Sequence, residues 1–220
     1  MANPTVSYLD LQDRCLTYGY GEVDRNNFKV WINQSYMEVV GSWRWSWLEA
    51  STTLATVAGT QTYAVPTDML TFGKLVPDDT AAPYPEYTDQ FDFRRYMSVN
   101  DAALDEGIPT HFTLANDLFV FYPVPDAVYN YLVLYWAEPP PLSADIDLTY
   151  LSDSDVDIIV LGALARAAQR ENDMGRYQVY ATQFTAQLAQ MVRTEKLSQA
   201  QTIRRAALPA SYGGLYDTDF

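Results

Sequence analysis

The chain has 220 residues, of which 48% are apolar and 19% charged, a composition typical of a globular protein with enough core to fold alone. Its formal net charge of −14 disfavours binding to nucleic-acid phosphates through charge. A single cysteine, Cys15, excludes an intrachain disulfide, and no apolar segment reaches the roughly 20 residues of a membrane helix. The single cysteine indicates assembly in a reducing compartment. The N-terminus lacks the pattern of a signal peptide, and we expect no membrane partner.

The charge is unevenly distributed along the chain. Residues 1–159 carry 23 acidic and 7 basic side chains, whereas residues 160–210 carry 3 acidic and 7 basic ones. We expect the acidic body to repel DNA or to aid solubility. The basic segment is where an acidic partner would dock.

The N-terminal part predicts two helices. The first covers residues 6–18, where Ser7 and Asp10 have the spacing of a capping box. The second begins near Asp24, has one broad apolar face and ends at Gly41.

Three tryptophans follow the second predicted helix. Trp43, Trp45 and Trp47 alternate with other residues, which in an extended chain places all three rings on one side. We interpret them as a hydrophobic seam between the helices and the sheet, because large aromatic side chains dominate cores and interfaces. The alternative is a stacking platform for sugars or bases.

The central part reads as β-strands. Two β-prone runs on either side of Ala58-Gly59 predict a hairpin between residues 48 and 66. A second hairpin is predicted around Asn116-Asp117. The other predicted elements are strands at residues 70–76, 110–114, 118–122 and 129–135, and a short helix at residues 90–97.

The segment from Ser152 to about Gln201 organises the predicted fold. Capping and first-turn residues at Ser152–Asp157 precede the apolar run Ile158–Ala165, which predicts a helix buried on most sides. A second helix follows an interruption near Gly175. Its apolar stripe is interpreted as a core face that packs on the first helix. The stripe consists of Tyr177, Tyr180, Phe184, Leu188 and Met191.

This order of elements predicts an α+β fold. Two N-terminal and two long C-terminal helices form a helical bundle, and an antiparallel β-sheet region is inserted between them. The predicted boundaries are 1–47 and 150–197 for the bundle, 48–149 for the insertion, and 198–220 for an extended C-terminal tail.

The sequence gives no specific sign of catalysis. Asp153, Asp155 and Asp157 imitate the start of a calcium loop, but the glycine and the glutamate of such a loop are absent. His111 has no second histidine or cysteine near it for a zinc site. We therefore predict no enzyme activity, no metal and no cofactor.

Six short segments occur in a characteristic order. They are Trp45–Leu48, Thr56–Asp68, Gly107–Phe112, Phe121–Asp126, Tyr135–Leu142 and Leu161–Arg170. Together, over about residues 5–195, they resemble the head-to-tail adaptor (connector) proteins of tailed double-stranded DNA bacteriophages.

This resemblance implies a structural role in the virion neck. Such adaptors form a homo-oligomeric ring, usually of twelve subunits, that is assembled in the host cytoplasm. Their partners are the portal protein, tail or nozzle proteins, and double-stranded DNA that passes through the channel without specific binding. The resemblance carries no catalytic residues. The alternatives are a stopper or tail-completion protein, or a carbohydrate-binding tail protein that uses Trp43, Trp45 and Trp47.

The C-terminal tail has too few regularly spaced apolar residues to form a core. Arg204 and Arg205 offer charge-assisted hydrogen bonds to carboxylates. The apolar anchors are Leu208, Tyr212, Leu215, Tyr216 and Phe220. We interpret the tail as a portal-binding segment, and the alternative is that it folds back on its own or a neighbouring subunit.

Overall fold

The computed structural model describes residues 6–18, 25–78, 83–99 and 105–207, with the backbone alone for 96–99 and 201–207. The helices are α1 (Tyr8–Thr17), α2 (Arg25–Ser42), α3 (Gln90–Val99), α4 (Asp157–Arg170) and α5 (Met174–Ala207), with a 3-10 helix at Ser46–Leu48. The strands are β1 (Glu49–Ala55), β2 (Thr62–Ala64), β3 (Met69–Pro77), β4 (Glu86–Tyr87), β5 (Glu106–Gly107), β6 (His111–Ala115), β7 (Leu118–Tyr122), β8 (Val124–Pro125) and β9 (Asn130–Ala137).

The chain forms two compact units, and the predicted mixed α+β class is confirmed. The helical unit combines the residues up to Trp47 with those from Pro140 onward, and the β unit is Leu48–Pro139. The predicted insertion ended at residue 149, but the β unit ends at Pro139. Residues 140–149 therefore belong to the helical unit. This segment bonds to the first two helices: the Tyr8 amide donates to the Asp147 carbonyl at 2.8 Å, and the Asn33 side chain binds both backbone groups of Leu142, each at 2.8 Å.

The start of α1 follows the capping box read from the sequence. The Asp10 amide donates to Ser7 Oγ at 3.2 Å, and the Ser7 amide donates to Asp10 Oδ2 at 2.9 Å. This satisfies two of the amides that the first helical turn leaves without partners. The second helix differs slightly from expectation, because Gly41 lies inside α2 and the helix runs to Ser42.

The β unit contains three sheets among the described residues. Strand orders are β1-β9-β3, β2-β7-β6-β4 and β5-β8. The longer ladders are antiparallel, as predicted, whereas the short pairs β4–β6 and β5–β8 are parallel. The core of this unit consists of Leu75, Phe112, Phe119, Phe121, Tyr131, Val133 and Tyr135.

One of the two predicted hairpins is confirmed. β6 and β7 pair around Asn116 and Asp117, whose φ angles of 51° and 59° suit the tight turn. The hairpin predicted around Ala58-Gly59 is wrong, because β1 pairs with β9 whereas β2 pairs with β7. Local β propensity located both strands, but core packing chose partners far away in sequence.

The C-terminal helices correct the sequence analysis at both ends. α4 begins after Val156 without a side-chain cap, so the expected capping by Ser152–Asp157 does not occur. α5 continues to Ala207, so the predicted extended tail is wrong for residues 198–207. Alanine, glutamine and arginine in this stretch favour helix without an apolar stripe, and a core-based criterion misses such a helix.

Candidate interaction surface

The helix α5 exposes most of its surface within the helical unit. Among its described side chains, residues 174–200, Phe184 alone is buried. Met174, Val179 and Leu197 are large apolar residues that are more than half exposed. Residues 177–192 contain no charged side chain at all, although exposed helices are usually rich in charge. Such depletion of charge on an exposed surface is typical of a protein interface.

The predicted stripe on α5 makes one deep contact with α4. A Cβ atom on Gly162 would lie 3.1 Å from Phe184 Cε2 and 2.5 Å from Ser35 Oγ, so α2, α4 and α5 meet where only glycine fits. Phe184 is buried, whereas the rest of the stripe is half-buried: Tyr177, Tyr180, Leu188 and Met191. Tyr180 also makes an edge-on contact with Tyr18, at 6.4 Å between ring centroids. The stripe is therefore largely covered within the helical unit, with Phe184 as its deepest contact.

A half-buried cationic side chain supports the same junction. Arg166 Nη1 donates to Ser35 Oγ and to the Gly162 carbonyl, each at 3.0 Å, and Arg166 Nη2 lies 2.7 Å from Glu38 Oε2. The bonds to Ser35 and Glu38 tie α4 to α2.

The three tryptophans do not lie on one side of an extended strand, because α2 runs to Ser42 and a 3-10 helix begins at Ser46. Trp45 is buried, donates from Nε1 to the Val39 carbonyl at 2.8 Å, and stacks on Trp47 with 5.9 Å between ring centroids. Trp47 in turn stacks on Tyr150. Trp43 instead lies under Lys196, whose Nζ is 4.4 Å from the ring centroid. A flat platform of three rings for sugars is therefore wrong, and the seam between helices and sheet stays a prediction.

A groove of about 720 Å³ lies between α5 and the two tryptophans Trp45 and Trp47. Its walls combine amide and hydroxyl side chains with apolar ones. Its lining is Trp45, Trp47, Ser154, Asp155, Leu161, Gln183, Ala186, Gln187, Gln190, Met191, Thr194 and Glu195. Aromatic and amide side chains together suit a polypeptide partner, which presents both apolar groups and backbone hydrogen-bonding groups.

Glu195 fastens α5 to the chain that follows α2. Its Oε1 accepts a hydrogen bond from the Ser46 amide at 2.9 Å and from Gln199 Nε2 at 3.0 Å. Gln199 Nε2 also donates to the Arg44 carbonyl at 3.1 Å. Sequence reasoning missed this contact because it joins residues about 150 positions apart and leaves no periodic signal.

The aspartates that imitate a calcium loop are used differently in the structure. Asp157 forms an ion pair with Arg14 at 2.5 Å, and Asp155 Oδ2 accepts from Ser152 Oγ at 2.6 Å. Within the described part of the chain, no group of three or more His, Cys, Asp or Glu side chains is arranged for a metal ion. Burial raises the pKa of Cys15 to about 12, so this thiol stays protonated at neutral pH.

The predicted portal-binding tail is only partly within the described residues. Arg204 and Arg205 lie in the last turns of α5. The five apolar anchors, Leu208, Tyr212, Leu215, Tyr216 and Phe220, lie outside the described residues. Among the described helices, none combines the length and the apolar character needed to cross a bilayer.

Comparison with known families gives one match that covers nearly the whole chain. The family described as SU10 adaptor protein matches residues 6–208, which include the β unit, most of the helical unit and all of α5. Comparison with curated proteins gives no match.

Proposed function

The chain belongs to the SU10 adaptor protein family, and we propose that it forms a ring between the portal and the tail of the virion. Membership makes the protein a structural adaptor of a bacteriophage, which is not a class of enzyme. The proposed ring holds about twelve copies, the number that the resemblance to phage head-to-tail adaptors implies, and a closed ring of one chain requires identical head-to-tail contacts between neighbours. Its place is the neck of the virion, after assembly in the host cytoplasm.

The exposed helix α5 is the observation that carries this proposal. A helix of 34 residues with a single buried side chain among residues 174–200 contributes little to the core of its own subunit. Its 16-residue stretch without charge also lacks the usual features of a solvated helix face. Contact with a neighbouring subunit and with the portal accounts for both properties.

The β unit has a different character that fits a second role. It carries 13 acidic and 3 basic side chains, whereas α5 carries 1 acidic and 5 basic ones. We assign the β unit to contacts with tail or nozzle proteins. Its negative charge also suits a channel wall, because repulsion prevents DNA from adhering as it passes.

The C-terminal residues are proposed to hold the adaptor on the portal. Arg204 and Arg205 extend α5 with charges that pair with carboxylates. The apolar anchors beyond Ala207 add burial, at about 1.5–3 kcal/mol for each large side chain that becomes fully covered. Ordering such a segment costs roughly 1–2 kcal/mol per residue in backbone entropy, so several contacts are needed to offset it.

Two truncations test this attachment. Removing residues after Ala207 deletes the apolar anchors, and removing residues after Gln201 deletes the two arginines as well. Both shortened proteins are expected to fold, because the core residues of both units lie upstream. Co-sedimentation with portal-containing capsids should fall for the first truncation and vanish for the second. Attachment at full strength by the chain that ends at Gln201 would rule out the tail as the portal-binding segment.

Copy number separates the adaptor role from a stopper or tail-completion role. Native mass spectrometry of portal complexes should give as many adaptor chains as portal chains. The same experiment shows the order of binding: a stopper or tail-completion protein joins only after another neck protein is bound to the portal.

A further inference from the structure

The strand β1 lies at an open edge of the sheet β1-β9-β3 in the β unit. β9 covers one side of β1, and no described strand pairs with the other side. Ser51, Thr52, Thr53 and Ala55 are exposed, and the chain continues into Val57, which is 56% exposed. An edge of this kind presents unpaired backbone groups to solvent.

The register shows which backbone groups of β1 face outward. The Thr56 amide donates to the carbonyl of Tyr129 at 2.9 Å, and the residues Ala55 and Asn130 lie opposite each other. Backbone groups alternate in direction along a strand, so every second residue from Thr56 points toward β9. The amide and carbonyl groups of Ser51, Thr53 and Ala55 therefore point away from the sheet.

The opposite edge of the same sheet is protected, whereas β1 is not. β3 has two register shifts along its pairing with β9, carries Lys74 and ends at Pro77. Bulges, lysines and prolines are the usual means by which an edge strand avoids pairing with another chain. β1 pairs with β9 in seven consecutive residues without a shift, and neither lysine nor proline occurs in it.

The charge distribution of the β unit indicates which kind of polypeptide can pair with the edge of β1. Residues 50–67 contain no charged side chain, although the β unit as a whole carries 13 acidic and 3 basic groups. A second copy would bring the same excess of negative charge to the edge, which opposes pairing between copies. The basic part of this chain, α5, is helical and has no strand to offer.

We propose that the outer edge of β1 binds an extended segment of a different protein, with uncharged residues opposite Ala50–Val57 and lysine or arginine on either side. The segment adds a fourth strand to the sheet through the backbone groups of Ser51, Thr53 and Ala55. Backbone hydrogen bonds give the affinity in this mode of recognition, and the net negative charge of the β unit attracts the flanking cations. The proposal goes beyond the adaptor role and does not require the ring.

A synthetic peptide tests the edge directly. The probe is Lys-Lys-Val-Thr-Val-Thr-Val-Lys-Lys, added to the ¹⁵N-labelled full chain in an NMR titration. The amides of Ser51, Thr53 and Ala55 are expected to shift and to exchange more slowly with solvent. The amides of Ala50, Thr52 and Leu54 already point toward β9 and should keep their exchange rates.

Matched controls define what overturns the proposal. A peptide with glutamate in place of lysine, and one N-methylated at alternate residues, should each bind at least tenfold more weakly. Thr53→Pro removes an outward amide and should also weaken binding about tenfold. Thr53→Val retains that amide and should bind the peptide as the unchanged protein does. The proposal is overturned by unchanged amides at millimolar peptide, or by equal binding of the glutamate peptide. Protection that rises with protein concentration alone also overturns it, because a second copy then covers the edge.

Discussion

The two C-terminal helices, α4 and α5, follow each other in sequence and pack together, yet they have opposite surroundings. Nine of the 14 residues of α4 are buried, whereas Phe184 is the one buried side chain among residues 174–200 of α5. α4 is buried on most sides because α1, α2 and α5 pack against it. From this difference we infer that α4 specifies the fold of the subunit, while α5 provides a surface for assembly.

The same substitution in each helix gives the largest expected contrast. Leu164→Ala in α4 empties space around a side chain with no exposure and should cost about 2–5 kcal/mol of unfolding free energy. Leu197→Ala in α5, where the side chain is 57% exposed, should cost less than about 0.5 kcal/mol. Chemical denaturation of both variants measures this. Leu197→Ala should still weaken attachment to portal complexes, and equal losses of stability would erase the distinction between the helices.

Glycine substitutions sharpen the contrast at the contact between the helices. Gly162→Ala should destabilise by about 1–3 kcal/mol despite the better helix propensity of alanine, because the new methyl group meets Ser35 and Phe184. Gly175→Ala near the start of α5 meets only ordinary contact at 3.5 Å from Asp173 Oδ1, so it should stabilise by up to about 1 kcal/mol. Thermal unfolding of the pair gives the sign of each effect. A stabilising Gly162→Ala would show that α2 and α5 pack less closely on α4 than described.

Removal of the Glu195 carboxylate tests how firmly α5 is held. Glu195→Ala loses the bonds to the Ser46 amide and to Gln199, which should cost about 1 kcal/mol of stability. Glu195→Gln keeps an acceptor and should lose less. Hydrogen exchange at the end of α5 should accelerate in Glu195→Ala while α4 is unchanged. Equal acceleration in both helices would mean that they open as one unit.

The smallest expected effect is a pH dependence of the segment that precedes α4. The Lys29 and Gln12 side chains hold the pKa of Asp145 below its ordinary value, and the amides of Ser143 and Ala144 do the same for the pKa of Asp147. A lowered folded-state pKa contributes stability above the unfolded value of about 3.9, and this contribution disappears as pH falls through the folded value.

The urea midpoint should therefore vary little through these groups from pH 7 to pH 5 and fall below about pH 4. Asp147→Asn should reduce that acid-dependent fall, because its side chain does not titrate. An unchanged fall in the variant would show that other carboxylates cause the acid sensitivity.

The parts of the fold that depend on local signals were predictable from the sequence. The capping box at Ser7 and Asp10 and the turn at Asn116-Asp117 each require particular residue types at fixed spacing. The apolar run from Ile158 likewise predicts a buried helix without any knowledge of which elements pack against it. Each of these signals is confirmed by the structure.

The partners of β1 and the contacts of α5 were not predictable in the same way. β1 pairs with a strand about 75 residues later, a choice decided by packing of Ala50 and Leu54 on a core shared with Val133. The last ten residues of α5 lack an apolar stripe, so periodicity gave no sign of the helix. Trp43 and Trp45 have different surroundings because α2 ends at Ser42, just before them, and a 3-10 helix begins at Ser46. The alternation of residue types does not reveal this change of backbone.

A cryo-electron microscopy map of the virion neck would show whether α5 is an assembly surface. We expect a ring of this chain on the portal–tail axis, in which residues 177–192 and Leu197 are covered by a neighbouring copy or by the portal. A map that places the chain off this axis, or that leaves α5 in solvent around the rim of the ring, would contradict it.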